Sequence, residues 1–375
     1  MGKIFRKSLK FIANTALLGA VYHYWYQYKH YRLKYNLGEE SLEPIPHTHL
    51  LDLPWLSEDH YPAMMDEIVL PELKKLEVTG KVQSGSYPIH YVYYPLEDAR
   101  ATIVFVHGFN EFKEKYRELY YYFLHAGVEV FAFDLRAHGE SKLYPTQSLI
   151  DIHSFQEYVN DLDQIIDSVV LPNYHGQELV LMGHSMGGAT ALSYAEQFPV
   201  IFDRVILSSP MLGISTGFIP NSFAHLAGQV MDWVGYGQER LLFTGVLTLG
   251  PKLEYIHNPY LTKSEARGKY AHEFDRTHSS ATESGATYRW LSESMKATNQ
   301  IIQPERLERV QVPVLLLRAE EDHLVADSAI FTAGTYLPQV ERVLMPAGQH
   351  ELIFDHDEQL RSYVTRILTF LDLVE

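Results

Sequence analysis

Continuous apolar runs recur along the chain with helical patterns between them. Thr102–Val106, Val128–Phe133, Leu179–Met182, Arg204–Ser208, Pro313–Ala319 and Arg342–Pro346 are short and almost wholly apolar, the pattern of strands buried on both faces. Lys115 to His125, Phe155 to Val170 and Ala189 to Phe198 read as helices, the second with Asp161 and Asp163 on its exposed side. Strand and helix alternating at this spacing predict an α/β fold, a mostly parallel, doubly wound sheet covered by helices on both faces. Ahead of it, Lys81 to Pro95 carries Ser84-Gly85-Ser86 at its middle and alternates at Ile89, Tyr91 and Tyr93, the mark of an opening antiparallel hairpin. The rhythm breaks from Pro210 to about Gln303, where two helical segments joined by irregular polar loops read as an inserted helical cap above the strand ends. The expected division is a basic, apolar leader at 1–37, a linker and short helix at 38–80, core at 81–210 and 304–375, and the cap at 211–303.

The run Leu179–Met182 leads into Gly183-His184-Ser185-Met186-Gly187-Gly188 and then into a helix-forming segment. Strand, tight turn and helix in that order put Ser185 at an exposed tip, as a candidate nucleophile. Glycines at 183 and 187 fit because the turn strains the serine backbone, and side chains two positions away would collide with their neighbours. A nucleophilic serine needs a base, and the base an orienting acid, in the chain order Ser, acid, His. Asp322 lies just past the carboxyl end of the strand Pro313–Ala319, where the active groups of open parallel sheets gather. Glu320 and Glu321, in the same loop, are fallback acids. His350 follows the next strand, one of 19 histidines in the chain. Two backbone N–H groups must face the developing oxyanion. Met186 is expected to supply one and Phe109 the other, with Gly108 letting the loop after Thr102–Val106 come close.

Charge alters the picture at one end. The chain carries a net −16, yet residues 1–36 hold seven Lys and Arg and no acid, so the remainder stands at −23 and does not suit nucleic acid. Within the basic leader, Phe11 to Tyr26 is mostly apolar and ends in Tyr22, Tyr24, Trp25 and Tyr26, a pattern for an interfacial or barely spanning membrane helix. A cleaved secretory signal and an amphipathic helix packed on the body are the rivals; the first lacks an A-x-A site. Arg6 rules out N-myristoylation. The absence of cysteine excludes disulfides, thiolate nucleophiles and Cys-type zinc sites, and leaves the compartment open. No H-E-x-x-H or other metal-ligand spacing occurs, and no metal or organic cofactor is expected. Asp134 to Ser141, with Asp, Arg and His together, reads as a bracing loop whose charges satisfy one another.

The segments VFVHGFNEFKEKYRELYYYFLHAGVEVFAFDLRAHGES, LVLMGHSMGGATAL, VPVLLLRAEEDHLV and AGQHEL together resemble the α/β-hydrolase superfamily, and within it the lysophospholipase and monoacylglycerol lipase group. The cap segment LTKSEARGKY…SGATYRWLSES looks like that of bacterial inner-membrane lysophospholipases. The resemblance implies the α/β-hydrolase fold, with Ser185 as nucleophile, Asp322 as acid, His350 as base, and Phe109 and Met186 as oxyanion donors. It implies a serine hydrolase cleaving acyl esters of single-chain lipids through an acyl-enzyme; the basic leader is expected to hold it at a membrane surface. Export after signal cleavage and a cytoplasmic location are the alternatives. The long leader departs from the pattern of the hydrolase core. Phe218, Trp233 and Trp290, with Phe223, Leu226, Val230 and Tyr236, are candidates for an acyl pocket, and Arg267, Arg276 and Arg289 for a lipid phosphate. A peptidase, an amidase or a general carboxylesterase would use the same triad, and a non-catalytic binding protein would be expected to have lost part of it. Ser rather than Asp at 185 disfavours a dehalogenase or epoxide hydrolase. Oligomeric state is not legible.

Overall fold

The structure, a computed structural model, describes residues 52–215, 228–241, 255, 257–277 and 285–374. Its strands are β1 (Val78–Ser84), β2 (Tyr87–Tyr94), β3 (Ala101–Val106), β4 (Val128–Phe133), β5 (Leu149–Ile150), β6 (Glu178–His184), β7 (Arg204–Ser208), β8 (Gly285–Ala286), β9 (Val314–Ala319) and β10 (Val340–Met345). Eight of them form one sheet in the order β1-β2-β4-β3-β6-β7-β9-β10, and β5 pairs with β8 apart from it. The hairpin β1–β2 is antiparallel and joins β4 antiparallel; every later neighbour is parallel. This is the mostly parallel, helix-covered sheet of the α/β-hydrolase fold.

The main helices are α1 (Leu70–Leu76), α2 (Arg117–His125), α3 (Gln156–Ile165), α4 (Met186–Gln197), α5 (Glu265–Thr277), α6 (Tyr288–Ile301), α7 (Asp327–Tyr336) and α8 (Asp357–Phe370). Successive side chains of a strand point to opposite faces, so each buried strand feeds two cores. Val104, Phe131, Leu181 and Leu207 pack with residues of α3, α4 and α6 on one face. Phe105, Val130, Met182 and Ile206 pack with residues of α2 and α8 on the other. Continuous apolar runs are what two buried faces require.

Register brings the functional loops to one rim. Val106, the last residue of β3, is level with Gly183 of β6 on one side and Phe133 of β4 on the other. The turns after β3, β4 and β6 therefore leave the sheet side by side, with those after β7 and β9 beyond them.

Two expectations about charge change here. Asp161 is fully buried rather than exposed, because Arg136 reaches it with Nε at 2.7 Å and a terminal nitrogen at 2.6 Å. Arg136 also pairs with Glu157 at 2.9 Å, which ties the loop after β4 to α3. In the same loop, Asp134 accepts from Lys113 Nζ at 2.8 Å and from the Glu140 N–H at 2.9 Å. Those charges satisfy one another, as a bracing loop demands. Arg267 is not free for a lipid: it is 1% exposed, bonded to Glu118 and the Asp355 carbonyl and paired with Asp357 at 2.9 Å. Arg289 is engaged with Asp151, and the side chain of Arg276 lies outside the described residues. Residues 1–51, with the whole basic leader, also lie outside them.

Candidate active site

Ser185 sits between β6 and α4 with φ 51° and ψ −118°, left-handed backbone that costs a non-glycine residue strain. The surroundings hold it there. Its N–H donates to the Ser208 carbonyl at 3.0 Å, and its own carbonyl accepts from Met211 N–H at 2.8 Å and Ala189 N–H at 3.2 Å. The two flanking glycines are required by space. A Cβ on Gly183 would stand 2.3 Å from the Gly187 carbonyl oxygen, and one on Gly187 only 2.0 Å from that of Val106.

His350, in the loop after β10, brings Nε2 to 2.9 Å from Ser185 Oγ. Its Nδ1 stands 2.7 Å from Asp322 Oδ2 in the loop after β9. An ionised carboxylate can only accept, so Nδ1 carries the proton and Nε2 accepts from the serine hydroxyl. The second oxygen of Asp322 takes the N–H groups of Leu324 at 2.8 Å and Val325 at 3.2 Å. Burial opposes the charge on Asp322, but His350 and those two N–H groups outweigh it and hold the acid below its usual range. Burial likewise opposes protonation of His350, and Asp322 outweighs it, so the imidazole lies above its usual value of 6.5. Glu320 and Glu321 turn elsewhere, to the Ala347 N–H and to Gln349.

On the other side of the serine, a Cβ on Gly108 would lie 3.1 Å from Ser185 Cβ, so the loop after β3 packs directly against the nucleophile turn. His107 fixes that loop, with Nδ1 2.7 Å from the Gly108 carbonyl oxygen and Nε2 accepting from Leu135 N–H at 3.0 Å. The Gly108 N–H is taken by Glu111 Oε2 at 2.6 Å. Phe109 is next in the loop and Met186 is the first residue of α4, the positions expected to supply the two donors.

Of the acyl-pocket candidates, Trp233 is 86% exposed and faces solvent, with Val230 and Tyr236 also exposed. Trp290 is fully buried; its indole N–H donates to Tyr158 at 3.1 Å and its ring packs 4.2 Å from that of Phe109. It stands behind the oxyanion loop rather than on an open wall. Phe218, Phe223 and Leu226 lie outside the described residues.

Sequence reasoning did not single out a buried charged group beside the triad. Glu111 accepts from Tyr116 and from Lys115 Nζ at 2.8 Å, and Lys115 also donates to Glu351 at 2.8 Å. His184 lies between, its ring 5.0 Å from that of His350, pushed down to about 3 by burial. The four-residue spacing of Glu111 and Lys115 was readable, but Glu351 stands 236 residues further on. A cavity of about 140 Å³ opens beside this group, lined by Asn110, Phe112, Lys115, Asn258, Thr262 and Glu351 among others. Residues 258–263 close over the histidine loop: Glu351 N–H donates to the Leu261 carbonyl at 2.8 Å, Thr262 bonds the Phe354 carbonyl, and Lys263 bonds the Ala347 carbonyl and pairs with Glu321 at 3.3 Å.

Comparison with known proteins agrees with this architecture. The chain is 28% identical over 281 residues to a probable lysophospholipase L2 of Haemophilus influenzae, covering 74% of this chain and 86% of that one. It is 27% identical over 297 residues to lysophospholipase L2 of Escherichia coli K12, covering 76% and 84%. A solved soluble variant of monoglyceride lipase from Saccharomyces cerevisiae, in complex with a substrate analog, shares the fold with a TM-score of 0.63 at 17% identity, over 80% of this chain and 96% of that one. Residues 97–357, which run from just before β3 to the start of α8, match the family model described as serine aminopeptidase, S33, and the chain belongs to that family.

Proposed function

We propose that the protein is a serine hydrolase that cleaves the acyl ester of single-chain lipids such as lysophospholipids or monoacylglycerols. The observation that carries this reading is the hydrogen-bonded chain Ser185, His350, Asp322, with spacings of 2.9 and 2.7 Å at the carboxyl rim of the sheet. Ser185 Oγ attacks the ester carbonyl while His350 Nε2 takes its proton, and Asp322 holds the imidazole and stabilises its cation. The tetrahedral oxyanion accepts N–H groups of Phe109 and Met186. His350 then returns the proton to the departing alcohol. Water, activated by the same imidazole, releases the acid from the acyl-enzyme; a glycerol-type alcohol entering instead gives transacylation. The lipid preference is supported by the two lysophospholipase relatives, each matched along more than four-fifths of its length.

Labelling with a fluorophosphonate, competed by lysophospholipids, monoacylglycerols, short aryl esters and peptide amides, tests the assignment. Single-chain lipid esters are expected to protect best, by about tenfold over aryl esters through burial of the acyl chain. Protection by peptide amides ahead of every ester would instead make the protein a peptidase, the activity for which its family is described.

Attachment to a membrane, the bacterial inner membrane by resemblance, is supported by the sequence of the leader, with its basic flanks and its aromatic-ended apolar run Phe11 to Tyr26. Among the described residues no helix is long and apolar enough to cross a membrane. The full chain is expected to sediment with anionic vesicles, and a chain beginning at residue 38 to stay in the supernatant. Equal partitioning of the two removes the anchor.

A further inference from the structure

Lys115 stands between two loops that the reaction must keep in register. Its ammonium lies 2.8 Å from Glu111 Oε1 and 2.8 Å from Glu351 Oε1, and the three side chains are only 12%, 6% and 12% exposed. Glu111 holds the oxyanion side, since its other oxygen accepts the Gly108 N–H and the Tyr116 hydroxyl. Glu351 directly follows His350. We propose that Lys115 is a positioning residue: one buried ammonium, shared by Glu111 and Glu351, couples the oxyanion loop to the histidine loop and balances two carboxylates beside the base. The inference rests on the triad reading of Ser185 and His350 given above.

An exposed ion pair is worth little, but charges withdrawn from water cannot lose one partner without leaving the others uncompensated. The groups facing His350 are Asp322 from the loop after β9, the Ser185 hydroxyl, the His184 ring from β6, Glu351 from its own loop and Glu111 from the oxyanion loop. Every carboxylate among them favours the imidazolium, while His184, held neutral by burial, adds no charge. Lys115 offsets the two glutamates. A lysine that merely stiffened the fold would leave the ionisation of His350 where it is; a lysine that balances charge would not.

The readout is the rate of fluorophosphonate labelling of Ser185 against pH in the full chain, which reports the nucleophile and base whatever the natural substrate. Only neutral His350 can take the serine proton, so reactivity is lost as pH falls through its raised value. The parental acid limb is therefore expected above 6.5. Lys115→Met bares two carboxylates, so the limb moves up, by roughly half a unit or more, and the plateau rate falls about tenfold as the loops uncouple. Lys115→Arg keeps the charge and returns the limb to its parental place. Glu351→Gln cuts the same bridge with the opposite charge change and moves the limb down. That opposite pair of shifts is beyond a purely structural role, and Glu351→Gln tests the idea even if Lys115→Met does not fold. Parental limbs and plateau rates in the folded variants overturn it. If the parent labels at Ser185 but hydrolyses no single-chain lipid, the substrate assignment fails, while the effect of residue 115 is still read.

Discussion

Ser185→Ala folds as the parent does and hydrolyses a lysophospholipid roughly 10⁶-fold more slowly. The exchange removes one oxygen and keeps the Cβ, so the strained turn at φ 51° and its backbone hydrogen bonds to Ser208 and Met211 survive unaltered. What disappears is the atom that His350 Nε2 addresses at 2.9 Å. A residual rate of about 10³–10⁴ over water remains, because backbone donors facing the oxyanion do not depend on the hydroxyl. Steady-state kinetics and fluorophosphonate labelling of the purified variant measure both effects. Turnover at the parental rate would falsify the nucleophile assignment, and with it the acyl-enzyme.

The second large effect comes from a residue with no side chain. Gly187→Ala places a Cβ 2.0 Å from the Val106 carbonyl oxygen and 2.5 Å from that of His107. Both obstacles are backbone, so no side chain can swing away; either the first turn of α4 or the end of β3 must move. Overpacking of this kind costs about 3 kcal/mol or more, a fall in Tm of roughly 5–10 °C for a body of this size. The two segments that must part are those carrying Met186 and Phe109, so the displacement falls on the oxyanion site. Labelling of the folded fraction is expected to slow at least about 100-fold, the loss of one donor or more. A variant with parental Tm and parental labelling would show that α4 and β3 are not packed as described.

The sheet was legible because its strands are buried on both faces, and an apolar run such as Thr102–Val106 admits few other readings. The placing of Ser185, Asp322 and His350 was legible because each follows such a run at its carboxyl end, where register carries it to a common rim. Charge partnerships were not. Asp161 reads as a solvated carboxylate and Arg267 as a partner for a lipid phosphate, and only the fold reveals Arg136 and Glu118 opposite them. Trp233 and Trp290 are the same letter in the same expected cap, yet one faces water and the other lies sealed behind Phe109. Helical periodicity does not distinguish a roof's outer surface from its inner one when the neighbouring segments are unknown. Glu111, Lys115 and Glu351 escaped notice for a further reason: a charge pair spaced four apart is the ordinary dress of a solvated helix, and the third member is remote in sequence.

The seam formed by residues 258–263 has a consequence for dividing this molecule into parts. Through Leu261, Thr262 and Lys263 that short stretch is stitched to the backbone on both sides of His350 and to the loop bearing Asp322. A chimera that replaces the expected cap up to residue 303 would thus exchange part of the footing of the base. An exchange that ends before Asn258 leaves the hinge pins of the histidine in the host.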